Sequence, residues 1–351
     1  MSLVELSGLT KTYGAVVALE RVTLSIEQGQ FVVLLGPSGS GKTTLLSILG
    51  GFTKPTSGRV MIAGRDVTTM LPAHRPTATV FQDYALFPHM TVRSNVAFGL
   101  ATRGVARAER QQRADDMLAT VGLAGLGDRR IHHLSGGQRQ RVALARAMIV
   151  EPAVLLLDEP LGALDLKIRQ QMQEELVELQ RRVAMTFVHV THDQDEAMNV
   201  ADVIVVLNKG RIEDQGSPEG VYSRPSSVFS ATFMGDSNIV TGKAVACEEG
   251  HTRVETPLGS LRVKGQSTVG EQVHICLRPE HIQVGATGDS GTTCLGEAVV
   301  EDVVFQGTRR RCHVRLADVA LRLLLPPRQN PAKGDTVALH VHDTDLVLLH
   351  D

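Results

Sequence analysis

The sequence predicts an α/β domain followed by a smaller all-β domain, and three observations support this. The 351 residues are enough for about two domains of ordinary size. In the first two-thirds of the chain, short apolar runs alternate with segments of helical period, as in strands joined by helices. After residue 235 the chain changes to short strand-like pieces broken by Gly and Pro. We therefore expect domains at residues 1–235 and 236–351.

Four apolar runs in the first domain predict the strands of one sheet. They are short, rich in Leu or β-branched residues and not alternating, as in strands buried on both faces of a largely parallel sheet. The runs are residues 31–35, 154–157, 186–190 and 203–207. A helix is predicted where apolar side chains share one face, at Ile168, Met172, Leu176, Leu179 and Val183.

The second domain reads as a small barrel or sandwich. Its strand-like pieces are residues 239–246, 260–263, 272–277, 297–304, 311–316, 320–325 and 336–340. The four cysteines contain no C-x-x-C pair, so we expect reduced thiols; a zinc site or a disulfide is the alternative.

The composition argues against several classes of protein. The chain has 36 Lys and Arg against 38 Asp and Glu, and aromatic residues are 3%, which argues against a nucleic-acid partner. Hydrophobic residues make up 42%, enough for a folded core. No apolar run approaches the ~20 residues of a membrane span. The first residues lack a signal-peptide pattern, so we expect a cytosolic chain.

A glycine-rich stretch after the first predicted strand has the spacing of a phosphate-binding loop. Residues 36–43 fit G-x-x-x-x-G-K-[ST], and residues 44–49 have helical character. In such a loop, backbone N–H groups and the helix N-terminus face phosphate oxygens. Lys42 then reaches the β- and γ-phosphates, and the Thr43 hydroxyl binds Mg²⁺. We expect nucleotide contacts from Gly36, Ser38, Gly39, Ser40, Gly41, Lys42, Thr43 and Thr44; the alternative is an incidental turn.

Two carboxylates end the predicted strand at residues 154–157. Asp158 is placed to hold Mg²⁺, through water, and Glu159 is placed to polarise an attacking water as a general base. An acidic pair after a strand is also typical of a solvated turn. Its occurrence in the same chain as Lys42 favours the catalytic interpretation.

A second candidate anion site lies at residues 134–138, Leu-Ser-Gly-Gly-Gln, before a predicted helix at 139–149. Ser135 is a good helix cap, which is the simpler interpretation. A serine and two glycines at a helix start also suit an anion.

This Leu-Ser-Gly-Gly-Gln stretch, lying between the phosphate loop and the acidic strand, resembles the signature of ABC-type ATPases. The resemblance covers roughly residues 1–235. It implies that Tyr13 stacks on adenine, that Gln82 contacts Mg²⁺ and the attacking water, and that His192 contacts the γ-phosphate. Residues 163–165 resemble the family's D-loop, although Gly162 stands where many members have Ser.

The family mechanism implies two copies paired head to tail, with each ATP between the phosphate loop of one copy and the signature of the other. Ser135, Gly137 and Gln138 would then meet the γ-phosphate in trans. A helical subdomain is expected at roughly residues 87–150. The expected catalytic residues are Glu159, His192, Lys42 and Gln82; ATP and Mg²⁺ are the expected cofactors.

Residues 81–92 and 95–100 resemble the stretch of importer ATPases that docks a membrane permease. Ala85, Leu86 and Phe87 suit a hydrophobic socket; core packing is the alternative. The resemblance implies a chain held by the permease on the cytoplasmic face of the bacterial plasma membrane, and an indirect partnership with a solute-binding protein.

The second domain resembles the OB-like, TOBE-type regulatory domain of importer ATPases, at residues 277–280 and 303–307. Arg309, Arg310 and Arg311 are interpreted as an exposed strand end. Residues 160–167 and 170–173 are most similar to spermidine/putrescine importer ATPases. Ferric-iron, aminoethylphosphonate and sulfate importers stay open, as do a soluble non-transport ABC ATPase and a module that binds ATP without hydrolysing it.

Overall fold

The computed structural model describes residues 2–161, 166–248, 250–285 and 291–349, with only the backbone described at 166–168. The D-loop motif at 163–165 and the neighbouring Gly162 lie outside the described residues. Contacts divide the chain into two compact units, Met1–Pro218 and Glu219–Asp351, called unit 1 and unit 2 below. Unit 1 is α/β and unit 2 is almost entirely β, which confirms the predicted fold class.

The elements of unit 1 alternate between strands and helices along most of its length. They are β1 (Ser2–Tyr13), β2 (Val16–Glu27), β3 (Phe31–Leu35), α1 (Lys42–Gly50), β4 (Ser57–Ile62), β5 (Arg65–Asp66), β6 (Thr77–Val80), α2 (Val92–Thr102), α3 (Arg107–Thr120), α4 (Gly136–Met148), β7 (Val154–Asp158), α5 (Leu166–Val183), β8 (Thr186–Thr191), α6 (Gln194–Val200), β9 (Val203–Asn208) and β10 (Arg211–Gly216).

A six-stranded sheet in the order β10-β9-β3-β8-β7-β6 forms the centre of unit 1. Its strands from β9 to β6 are parallel, and β10 pairs antiparallel with β9. The four predicted strands are therefore confirmed as β3, β7, β8 and β9. Because parallel strands end at the same edge, the residues that follow them meet there.

A second, antiparallel sheet in the order β2-β1-β4-β5 covers one side of this centre. Its inward side chains share one apolar core with α1 and one face of the parallel sheet; members include Leu6, Leu24, Leu45, Val60 and Leu156. On the predicted helix α5, Met172, Leu176 and Leu179 are buried, as their spacing indicated.

The chain between β6 and β7 is helical, as the resemblance implied, and contains α2, α3 and α4. Asn95 of α2 is buried among them. Its amide donates to the carbonyls of Phe87 and Thr91 and accepts from the Phe87 N–H. This one side chain therefore fixes the conformation of the loop that precedes α2.

Unit 2 contains two small β structures. Its elements, starting with a helix that begins at the unit boundary, are α7 (Pro218–Ser223), α8 (Val228–Phe233), β11 (Asn238–Glu248), β12 (His251–Thr256), β13 (Gly259–Lys264), β14 (Gln272–Leu277), β15 (Gln283–Val284), β16 (Thr292–Phe305), β17 (Arg310–Leu316), β18 (Val319–Leu325), β19 (Thr336–His342) and β20 (Val347–Leu349). A closed barrel has the order β11-β12-β13-β20-β14, and a five-stranded sheet has the order β15-β19-β16-β17-β18.

The division by contacts falls after Pro218, whereas the sequence placed the domain boundary after residue 235. The intervening helices α7 and α8 pack on the β structure of unit 2. Arg278, which directly follows β14, donates to the carbonyls of Tyr222 and Ala231 and stacks on the Tyr222 ring. Local composition does not report such a long-range anchor, so the change to β-rich sequence appears later than the change in contacts.

All four cysteines are free thiols, and Cys276 and Cys312 are buried. Burial raises the pKa of the Cys312 thiol to about 11, which suits a reduced core residue. Within the described ranges, none of the helices has both the length and the apolar character that a membrane span requires.

Candidate nucleotide site

The glycine-rich loop connects β3 to α1 at the C-terminal edge of the parallel sheet. All five side chains of β3 are buried, so the strand holds the start of the loop rigidly. Gly41 caps α1 with φ of 103°, a conformation that non-glycine residues rarely adopt. The first N–H groups of α1 have no partner within the helix and lie at the positive end of its dipole. The loop therefore offers a concave surface of backbone donors to an anion.

Two glycines are required here by close backbone contacts as well. A Cβ on Gly36 would lie 2.2 Å from the Leu207 carbonyl oxygen, and one on Gly41 would lie 2.6 Å from the Ala18 carbonyl oxygen. The first contact joins the loop to β9 and the second joins it to β2. The glycines of the motif therefore allow the loop to pack tightly between neighbouring strands.

Lys42 points back into the loop, and its side chain is nearly buried. Its ammonium donates to the carbonyls of Gly36 at 2.8 Å and Pro37 at 2.9 Å. Burial lowers the pKa of Lys42, and the negative charge of Glu159 acts in the opposite direction. The charge is thus held at the centre of the loop, beside the acidic residues of β7.

Asp158 and Glu159 lie at the C-terminal end of β7, as expected. Burial and the neighbouring Glu159 charge raise the pKa of Asp158, and His189 lowers it by a smaller amount. Glu159 has φ of 43°, and its N–H donates to the Val190 carbonyl of β8. A left-handed glutamate costs roughly 1–2 kcal/mol, which indicates that tertiary packing imposes this position.

His192 follows β8 directly and contacts Glu159. Its Nδ1 lies 3.3 Å from the Glu159 carboxylate, and its side chain is 64% exposed. Glu159 is more enclosed, at 28% exposed. The site therefore combines a cation, two carboxylates and an imidazole at one sheet edge, where a bound phosphate chain could meet all of them.

Gln82 lies in the turn after β6, the strand next to β7, and is exposed. The turn is fixed by two contacts that the sequence did not reveal. The Tyr84 hydroxyl donates to the Pro160 carbonyl, and Arg146 of α4 donates to the carbonyls of Tyr84 and Ala85. The same arginine thus links the Gln82 turn to the helix that begins at the second candidate anion site.

Tyr13 ends β1 and is 51% exposed. The Lys11 ammonium nitrogen lies over the Tyr13 ring, 4.7 Å from the centroid of the ring. The hairpin of β1 and β2 reaches the phosphate loop through Ala18 and Leu19, both close to Gly41. An exposed ring in the hairpin that contacts the loop suits stacking on a flat ligand.

The second candidate anion site forms a helix cap, as the simpler interpretation expected. The Ser135 hydroxyl accepts from the Gln138 N–H, and the Gln138 side chain accepts from the Ser135 N–H. Gly137 packs against Met172 of α5. This turn begins α4 and belongs neither to the loop between β3 and α1 nor to the strand ends at Glu159 and His192.

The predicted docking residues are only partly surface residues. Phe87 is half-buried, its ring lies 4.6 Å from that of Phe98, and Arg146 lies over its face. Ala85 is exposed and Leu86 is half-buried. Contacts within the protein therefore cover part of the Phe87 ring, as the core-packing alternative expected. Ala85 is the more accessible member of the set.

Three oxygen-bearing side chains at this sheet edge fit Mg²⁺, which prefers oxygen ligands. Thr43 begins α1, Asp158 ends β7 and Gln82 follows β6. Burial and the neighbouring Glu159 charge raise the pKa of Asp158, so a divalent cation beside these two carboxylates would be favourable. The residues present therefore fit the ion.

Comparisons with known proteins agree with this geometry. A model of the ABC transporter family matches residues 19–162, and a model of the TOBE domain matches residues 275–349. The spermidine/putrescine import ATP-binding protein PotA of Rubrobacter xylanophilus is 46% identical over 321 residues, which cover 90% of this chain and 84% of the relative. The Fe(3+) ions import ATP-binding protein FbpC of Agrobacterium fabrum is 47% identical over 282 residues, 80% of each chain.

A solved structure matches 61% of the chain. The dimeric ATP-binding cassette MJ0796, in a post-hydrolysis state bound to ADP and Pi, has a TM-score of 0.54 and 35% sequence identity. The alignment covers 61% of this chain and 98% of the cassette.

Proposed function

Because this chain belongs to the ABC transporter ATPases, which hydrolyse ATP, we propose that it drives a binding-protein-dependent importer of polyamines. The similarity of residues 160–167 and 170–173 to spermidine/putrescine importer ATPases supports this solute, as does the relative named for spermidine/putrescine import. The ferric-ion relative matches at similar identity. Ferric iron is the alternative favoured by a specific similarity, since that relative is equally close in identity. Aminoethylphosphonate and sulfate stay as weaker alternatives from the sequence.

The observation that carries the catalytic proposal is the meeting of Lys42, Glu159 and His192 at one sheet edge. Lys42 would neutralise charge on the β- and γ-phosphates, an effect that its burial strengthens. Glu159 would accept a proton from the attacking water. His192 would orient Glu159 through the 3.3 Å contact and reach the γ-phosphate from the same side.

Mg²⁺, when bound, would supply positive charge against the negative charge of the phosphates. We assign Thr43, Asp158 and Gln82 as the residues that hold it, Asp158 through water. Tyr13 would stack on the adenine ring, and the backbone donors between Ser38 and Thr44 would surround the phosphates.

We propose a head-to-tail dimer with ATP between the two copies. Ser135, Gly137 and Gln138 of one copy would bind the γ-phosphate held by the loop of the other. The position of their turn on α4, and the dimeric cassette with ADP and Pi, support this arrangement. The exposed part of residues 81–92 would bind the permease on the cytoplasmic face of the membrane, and the solute-binding protein would act through that permease.

The proposal is tested by expressing the Glu159→Gln variant with its permease and solute-binding protein and purifying the complex in Mg-ATP. The thermal unfolding midpoint, Tm, of the purified binding protein is then measured in the presence of spermidine, putrescine, Fe³⁺, sulfate or 2-aminoethylphosphonate. We expect polyamines to raise its Tm. A rise with Fe³⁺ alone would assign the ferric alternative, and an ATP-bound dimer without any permease would favour a soluble ATPase.

A further inference from the structure

A buried polar pair lies directly behind His192, on the face of β8 that packs against α6. The Nε2 atom of His189 lies 3.0 Å from the Glu196 carboxylate. The His189 side chain is fully buried and that of Glu196 is 6% exposed. A buried ionisable pair is costly to form, so its position beside a candidate catalytic residue calls for a reason.

Glu196 also controls the residues on both sides of His192. Its second carboxylate oxygen accepts from the Thr191 hydroxyl at 2.5 Å, and its own N–H donates to the Asp193 carboxylate at 3.0 Å. The Asp193 N–H in turn donates to the Thr191 hydroxyl. His192 is therefore the exposed tip of a turn whose two neighbours are both hydrogen-bonded to Glu196.

The chemistry of the pair fixes its hydrogen positions. A carboxylate can only accept, so Nε2 of His189 carries the hydrogen that it donates to Glu196. Burial alone would raise the pKa of Glu196, but hydrogen bonds from His189 and Thr191 outweigh burial and lower it. Glu196 is thus an anion at neutral pH, with strong charge-assisted hydrogen bonds to β8.

The network continues to α5. Arg169 donates to the second carboxylate oxygen of Asp193 at 2.9 Å. A small cavity between these elements is lined by Glu159, Arg169, His192 and Glu196, among others. The hydrogen-bonded frame and the Glu159–His192 contact therefore share one enclosed space.

We propose that Glu196, held by His189, is a positioning residue that fixes His192 at the distance from Glu159 which ATP hydrolysis requires. The proposal is independent of the imported solute but rests on the proposed roles of Glu159 and His192. A shift of about 1 Å at a catalytic group can cost roughly 100-fold in rate, so a rigid turn is needed for a residue as exposed as His192.

The test measures steady-state ATP hydrolysis by the full chain with Glu196→Ala, His192→Ala and both together. We expect Glu196→Ala to lower kcat about 10- to 100-fold and to change KM for ATP less than about threefold, because the phosphate loop is untouched. In the His192→Ala background, Glu196→Ala should lower kcat by at most about twofold, because residues that act through one another are not additive.

Two further variants separate positioning from folding. Glu196→Gln can accept from His189 and donate to Thr191, so kcat should stay within about fivefold of the wild type. Thr191→Val keeps the side-chain shape without the hydroxyl. If Glu196→Ala does not fold, Thr191→Val replaces it in the test and should show the same loss of kcat and the same non-additivity with His192→Ala.

Gln180→Ala is the matched control, because buried Gln180 donates to Gly29 and Met185 at the opposite end of β8. It should lower Tm and leave both kcat and the effect of His192→Ala unchanged.

Glu159→Gln serves as the reference in the same assay. If it keeps hydrolysing ATP, the proposed catalytic roles are wrong. If it stops hydrolysis while Glu196→Ala and Thr191→Val keep the wild-type kcat, or if their losses multiply with that of His192→Ala, only the positioning role is overturned.

Discussion

At the scale of single residues, the carboxylates of the site differ in how the fold treats their charge. Asp158 is left with a raised pKa beside Glu159, whereas Glu196 has a lowered pKa because it is fully hydrogen-bonded. The first arrangement suits a residue that awaits a cation, and the second suits a residue that keeps a turn rigid. The difference follows from their neighbours, since both lie within a few residues of a strand end.

Replacing the proposed base should separate binding from hydrolysis. Glu159→Gln should keep ATP binding but lower kcat at least about 100-fold, since removing a general base costs roughly 10²–10⁴-fold. ATP should then accumulate between two copies, and light scattering with Mg-ATP should show a dimer. Glu174→Gln, an exposed change on α5, is the control and should hydrolyse ATP normally. A Glu159→Gln chain that stays monomeric with its permease present would contradict the shared-nucleotide model.

The lowered pKa of Glu196 makes a prediction about pH. Its ordinary pKa is 4.5, so the stability that its charge contributes is complete above that pH and is lost as pH falls through the lower folded value. Above pH 5 the wild type should exceed Glu196→Gln by about 1 kcal/mol in unfolding free energy, because a charged acceptor makes stronger hydrogen bonds. Denaturant titrations should show this difference shrinking below pH 4.5. A constant difference would mean that Glu196 is already protonated. The titratable or charged groups that face it are His189, Asp193 and, through Asp193, Arg169.

At the scale of elements, the half-buried Arg146 and the buried Arg278 hold irregular segments against regular ones. Arg146 of α4 supports the Gln82 turn, and Arg278 of unit 2 supports α7, α8 and the residues that follow. Burial lowers the pKa of Arg146, yet an arginine keeps its charge, so each guanidinium makes several strong hydrogen bonds to carbonyls. These arginines therefore fix irregular backbone through side-chain hydrogen bonds, whereas strands are fixed by hydrogen bonds between backbone groups.

Removing the anchor in unit 2 should free its helical segment. Arg278→Ala should lower the stability of unit 2 by about 2–3 kcal/mol, the range for hydrogen bonds to a charged group. Chymotrypsin should then cleave faster after Phe229 and Phe233 of α8, as mass spectrometry of the fragments would show. Arg315→Ala removes an exposed ion pair with Glu301 and serves as the control. Equal cleavage of both variants would mean that Arg278 does not hold this segment.

At the scale of the whole molecule, one prediction concerns the permease. Ala85 is exposed beside the half-buried Phe87, so Ala85→Asp should place a charge in the proposed socket without opening the core. The permease should no longer co-purify, while the ATPase activity of the purified chain stays within about twofold. Ala124→Asp, exposed in the same helical region, should leave co-purification intact. Retention of the permease by the Ala85→Asp chain would contradict docking at this stretch.

The sequence by itself determined the two-part fold, four of the six strands of the central sheet, and the residues of the phosphate loop and acidic strand end. These features are local, because a strand, a glycine-rich turn and a helix start are each encoded by neighbouring residues. The gathering of Lys42, Glu159 and His192 also follows from the sequence, because parallel strands end at one edge.

Only the tertiary structure decided which side chains support that edge. His189 and Glu196 are seven positions apart, Arg146 and Ala85 are 61 apart, and Arg278 and Ala231 are 47 apart. A lone histidine in an apolar strand or an arginine on a helix has no local pattern that names its partner. Such contacts depend on how whole elements pack, and the unit boundary at Pro218 was likewise decided by packing.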